Sequence, residues 1–105
     1  MPRDTFLTYL YGNEADQLLA AGKRAEALEA GQKSAAYSPK QADGHTSLGF
    51  LEYINGNKEA ALKEFQAAQK LDPDFKKQFD ASISWEEFKA ILEDKEFLNR
   101  LFGGK

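Results

Sequence analysis

Displaced by 34 residues, the chain falls on itself: Gly22 on Gly56, Ala27 on Ala61, Leu28 on Leu62, Gln32 on Gln66 and Pro39 on Pro73. A fixed period of this length constrains a fold strongly, because each unit is one supersecondary element that must stack on its neighbour to bury its apolar side. The residues that recur are those a helix–turn–helix unit requires. Glycine supplies a turn, the Ala-Leu pair a close contact, and proline a stop.

The second copy shows the pattern most clearly. Gln41 to Asn55 reads as a helix, with Leu48, Leu51 and Ile54 returning at helical spacing. Asn55-Gly56-Asn57 interrupts it, since Gly56 can adopt the left-handed conformation that closes a helix. Lys58 to Leu71 resumes the pattern, with Ala61, Leu62, Phe65 and Ala68 on one stripe, until Asp72-Pro73 ends it. A turn this short forces the two helices to lie antiparallel and in contact. Gly49 and Ala61 are the small residues expected to face each other where the pair approaches closely.

These positions resemble the tetratricopeptide repeat family, whose pattern runs Trp-x-x-Leu-Gly-x-x-Tyr, then Ala-x-x-x-Phe, then Ala, then Pro. The second copy supplies His45, Leu48, Gly49, Ala61, Phe65, Ala68 and Pro73 at the matching places. Glu52 stands at the Tyr place, with Tyr53 one step later. The first copy is more degenerate, with Tyr11, Glu14, Ala15, Leu18, Ala27, Gly31, Ser34 and Pro39. The resemblance implies one all-α domain over residues 1–105: repeat one at 8–41, repeat two at 42–75 and capping helices at 76–105. The tail from residue 88 to 101 also looks like the one that closes bacterial tetratricopeptide arrays.

The repeat is not expected to continue past Pro73. The remaining stretch holds five of the eight Phe and the single Trp: Phe75, Phe79, Trp85, Phe88, Phe97 and Phe102. Ser84 with Glu87 forms a capping box for a helix through Leu92. Asp94 caps a last helix through Phe102, which Gly103-Gly104 stops. Such a tail would cover the apolar face that a terminal repeat otherwise exposes.

Composition narrows the function classes. Fourteen Lys and Arg against 17 Asp and Glu give a net charge of -3, with Lys76-Lys77 the densest basic spot, so the footprint of a nucleic-acid binder is missing. With no cysteine there are no disulfides, thiolate metal sites or thiol nucleophiles. The start of the chain is unlike a signal peptide and no run is long enough to span a bilayer, which tilts the expectation toward the cytoplasm. His45, the single histidine, stands where the family packs an aromatic and is read as structural. The acidic runs at 72–74 and 93–96 lack the glycine-centred loop and closing bidentate Glu of a calcium site, and serve as helix stops and caps. No catalytic residue, metal or cofactor is expected.

What remains is a protein-interaction module. In such an array the first helix of each hairpin lines the binding side, and the residues it does not need for packing form the candidate partner face: Tyr9, Asn13 and Asp16 in repeat one, and Asp43, Ser47, Phe50 and Tyr53 in repeat two. Phe50 is either an aromatic anchor for a partner or a core residue beneath the aromatic tail. The branch of the family that clamps a terminal carboxylate is excluded. Its places hold Gly12, Asp16, Ser47, Lys77 and Ala81, and of these only Lys77 fits. Gly31 leaves space where Phe65 stands in the other repeat, to be filled by Phe6, Leu7 or Leu10, by a partner, or by a second copy. The alternative function is an accessory docking or dimerisation domain of a larger bacterial enzyme.

Overall fold

Two helix pairs one period apart, alike in every limit except the earlier start of the first helix, form most of the molecule. The computed structural model describes residues 3–37, 42–82 and 89–103, and of residues 3–9, 43 and 82 the backbone alone. Helices α1 (Arg3–Ala20) and α2 (Arg24–Tyr37) make the first pair. Helices α3 (Ala42–Ile54) and α4 (Lys58–Leu71) make the second. Then follow α5 (Phe75–Ser82), α6 (Ala90–Glu93) and α7 (Lys95–Phe102), and no strand occurs among the described residues.

The turns repeat as closely as the helices. Gly22 and Gly56 both have positive φ, at 81° and 87°, where any side chain would be strained. The Lys23 amide donates to the Leu18 carbonyl at 2.9 Å, and its counterpart in Asn57 donates to Glu52 at 2.9 Å. Gly22 to Leu19 and Gly56 to Tyr53 are both 3.0 Å. Asn55 ties the pairs together: its side-chain amide donates to the Leu51 carbonyl at 2.8 Å and to the Arg24 carbonyl at 3.1 Å. The described part of the chain measures 41 × 30 × 21 Å, and the shortest dimension is about two helix diameters.

The register continues one helix further than expected. Asp72 ends α4, and its carboxylate accepts from the Asp74 amide at 2.8 Å, turning the chain around Pro73. Helix α5 then starts within a residue of where the 34-residue period would place another first helix, and Phe79 falls at the register position of His45 and Tyr11. Pro73 therefore stands in a short turn that leads directly from α4 into α5. Pro39, the corresponding proline, and Trp85, Phe88, Ser84 and Glu87 of the tail lie outside the described residues.

Helix α7 is built as its sequence dictates. The Asp94 carboxylate accepts from the Phe97 amide at 3.1 Å, and Gly103 closes the other end at φ 88°. Phe97 and Leu101 are buried against α4, and the Gln69 amide donates to the Leu101 carbonyl at 3.0 Å. Ile91 of α6 is fully buried, while Leu92 is left 53% exposed.

The packing bears on three expectations. A Cβ built on Gly49 would lie 2.6–2.9 Å from ring atoms of Phe65, so the glycine makes room for that ring of α4. Ala61 is itself fully buried. Leu51 of α3 enters the space at Gly31, where its Cδ1 would lie 2.5 Å from an added Cβ, and Leu10 is 47% exposed, while the side chains of Phe6 and Leu7 lie outside the described residues. Phe50 is 1% exposed: its ring stacks on Phe79 at 5.3 Å between centroids and meets Phe65 edge-on at 5.0 Å. It is core, and an anchor role for it is not available in this structure. Such ring pairs contribute about 0.5–1.5 kcal/mol beyond the area they bury.

Candidate partner-binding face

The seven residues read as a partner face separate into three groups. Asn13, Asp16 and Ser47 are exposed, and among the described residues no side chain bonds to them. Asn13 and Asp16 are three residues apart on α1 and share a face, and Ser47 is the repeat counterpart of Asn13 on α3. Tyr9 and Asp43 lie on the same helices, with side chains outside the described residues. Phe50 and Tyr53 are used by the rest of the chain.

Tyr53 is held by the last helix. Its hydroxyl donates to Asp94 Oδ2 at 2.7 Å, where Lys58 Nζ also donates at 2.9 Å, and its ring meets Phe97 edge-on at 5.1 Å. Burial, followed by the hydrogen bond to Asp94, pushes the Tyr53 hydroxyl well above its usual pKa. The hydrogen bonds from Tyr53, Lys58 and the Phe97 amide bring the Asp94 carboxyl down to about 2. One carboxylate thus caps α7 and fastens it to α3 and α4. Nearby, Arg100 donates from both guanidinium nitrogens to Glu59, the longer bond measuring 2.9 Å. The tail sequence shows the cap. It does not show that the same oxygens reach Tyr53 and Lys58, which come 41 and 36 residues earlier.

Asp16 is electrostatically different. It is exposed, yet the protein around it removes enough water to raise its carboxyl pKa, and no cation among the described residues offsets this. In the repeat register Asp16 corresponds to Phe50 and Gly31 to Phe65, so Asp16 stands to His45 as Phe50 stands to Phe79. The first junction is therefore polar where the second is aromatic. His45 Nδ1 lies 2.6 Å from Glu64 Oε2, joining α3 to α4. Glu52 is buried and accepts from Gln32 Nε2 at 3.3 Å, joining α3 to α2.

Sequence reasoning overlooked an aromatic pair on the first hairpin. Tyr11 and Tyr37 stack at 5.8 Å with ring planes 4° apart, and Lys33 Nζ sits 5.6 Å from the Tyr11 ring. The helical registers of α1 and α2 hold the signal, but only once the hairpin geometry is known. Among the described residues no group of three or more His, Asp or Glu side chains converges as metal ligands would, and no helix is long and apolar enough to cross a membrane. Compared with protein-family models, with characterised proteins and with solved structures, the chain gives no match.

Proposed function

We propose that this chain is a non-catalytic interaction module of tetratricopeptide type, which holds a peptide or protein surface against the outward face of α1 and α3. The observation that carries this reading is the repetition itself. The ends of α1 and α3, both limits of α2 and α4, the positive-φ glycines and the turn hydrogen bonds recur one 34-residue period apart, and repeat units of this kind create extended binding surfaces from successive first helices. Asn13, Asp16 and Ser47 support it, being polar groups that packing does not use.

A photo-cross-linking residue placed at Ser47, and separately at exposed Lys63 on α4, tests the reading in cell extract. The Ser47 variant is expected to give a discrete adduct that unlabelled protein competes away, and the Lys63 variant none. A folded protein that yields adducts only from Lys63, or none from Ser47, contradicts the proposal.

A further inference from the structure

The two equivalent turns differ at the residue before the glycine. Gly22 and Gly56 both sit at positive φ, but Ala21 precedes the first and Asn55 the second. Asn55-Gly56 is the one Asn-Gly step in the chain, since Asn13, Asn57 and Asn99 precede Glu14, Lys58 and Arg100. An asparagine followed by glycine is open to attack from within the backbone, because glycine has no side chain to shield its amide nitrogen.

In that reaction the Gly56 nitrogen bonds to Asn55 Cγ, and Nδ2 leaves as ammonia, carrying the Gly56 amide proton. Water then opens the five-membered imide at either carbonyl, leaving Asp or its β-linked isomer. The folded turn restrains both participants. The Gly56 amide donates to the Tyr53 carbonyl at 3.0 Å, and Asn55 Nδ2 donates to the Leu51 and Arg24 carbonyls at 2.8 and 3.1 Å. Nucleophile and leaving group are therefore engaged elsewhere until the turn opens.

We propose that Asn55 is a site of spontaneous deamidation, and that the reaction undoes its tie between the two helix pairs. The amide that leaves is the donor that joins the end of α3 to the start of α2. The carboxylate that replaces it only accepts hydrogen bonds, and it faces the same two carbonyl oxygens. The β-linked isomer lengthens the backbone by a methylene within a turn whose Asn57 amide reaches the Glu52 carbonyl at 2.9 Å. Either product loosens α2 from α3.

Mass mapping of the full chain, aged at mildly alkaline pH in native buffer and in urea, tests the site. A gain of about 1 Da is expected at Asn55 and at no other asparagine. It should accumulate at least about tenfold faster in urea, where the turn is open. No gain at Asn55 in urea, or equal rates in the two solvents, overturns the proposal. The consequence is read from Asn55→Asp and Asn55→Ala by thermal melting. Both lose the two hydrogen bonds, and Asp adds repulsion, so the Asp variant should melt below the Ala variant. If the Asp variant does not fold, the aged parent, separated by charge from unreacted chain, gives the same comparison. An Asp product that melts with or above the Ala variant overturns the claim that deamidation undoes the tie.

Discussion

Among the described residues the first hairpin buries Ala15, Leu19, Ala27, Ala30, Gly31, Ser34 and Ala35, whereas the second and its neighbours bury, besides small residues, Phe50, Leu51, Leu62, Phe65, Phe75, Phe79, Ile91, Phe97 and Leu101. Both are built on one backbone template, so the contrast isolates what side chains do. In the second unit Phe65 is the hub, with Phe50, Phe75, Phe79 and Phe97 all within 6.0 Å between ring centroids. Its counterpart in the first unit is Gly31, which lets Leu51 in and contributes no ring. Among the described residues, the burial of large side chains, about 1.5–3 kcal/mol each, is therefore concentrated at one end of the molecule. At the other end Asn13 and Asp16 of α1 stand exposed.

The largest effect should come from removing the cover on the aromatic end. A chain ended after Asp80 loses Ile91, Phe97 and Leu101 from the core and is expected to aggregate or melt far earlier, since these burials together rival the net stability of a small domain. Thermal melts and size-exclusion chromatography decide. A monomeric product of unchanged stability would mean that α7 is an appendage. Phe65→Ala comes next, with a loss of about 3–5 kcal/mol in denaturant titrations. A loss below about 1 kcal/mol would remove the hub from the account.

Glycine substitutions sharpen the comparison, because the same change meets different neighbours. Gly49→Ala drives a methyl into the Phe65 ring, which is held on several sides, and should cost about 1–3 kcal/mol. Gly31→Ala meets the tip of Leu51, a flexible side chain that can rotate away. The gain of about 1 kcal/mol in helix propensity should bring this variant close to the parent or slightly above it. Equal losses at the two sites would show that the first junction is packed as tightly as the second. Ala61→Leu, at a position without free volume, should resemble Gly49→Ala.

Much of this was legible beforehand, and the part that was not has a common cause. Helix α4 runs Lys58–Leu71 as its sequence predicts, because Gly56 before it and Asp72-Pro73 after it act through local backbone sterics. The Asp94 cap and the Gly103 stop are equally local. What failed concerned partners far along the chain. Periodicity places Phe50 on a helix face, but Phe79, which covers that face, comes 29 residues later. Leu51 entering the Gly31 space, and Tyr53 reaching Asp94, depend on how repeats stack. The site divides in the same way: Asn13, Asp16 and Ser47 stand exposed as expected, and Phe50 and Tyr53 were taken by helices whose docking the pattern does not encode.

The smallest effect expected is at the polar fastening of α7. The Asp94 carboxyl is lowered in the folded protein, so its contribution is present above the usual carboxylate pKa and is lost as pH falls toward about 2. Allowing for solvent screening, that contribution is about 1 kcal/mol. Asp94→Asn should flatten the decline in stability between pH 4 and 2 without altering stability order elsewhere in the chain. A parent and variant whose pH profiles run parallel would deny the fastening any ionic character.

Native-state hydrogen exchange on the intact chain, resolved to single amides, tests the central contrast most directly. The account predicts the slowest exchange, governed by global unfolding, in α4 and the second half of α3, with α1 and its exposed face opening at markedly lower free energy. Helix α7 should exchange with α4. If α1 and α2 prove the most protected helices, or if every helix exchanges at one common free energy, the division into an aromatic anchoring end and a lightly packed end is contradicted.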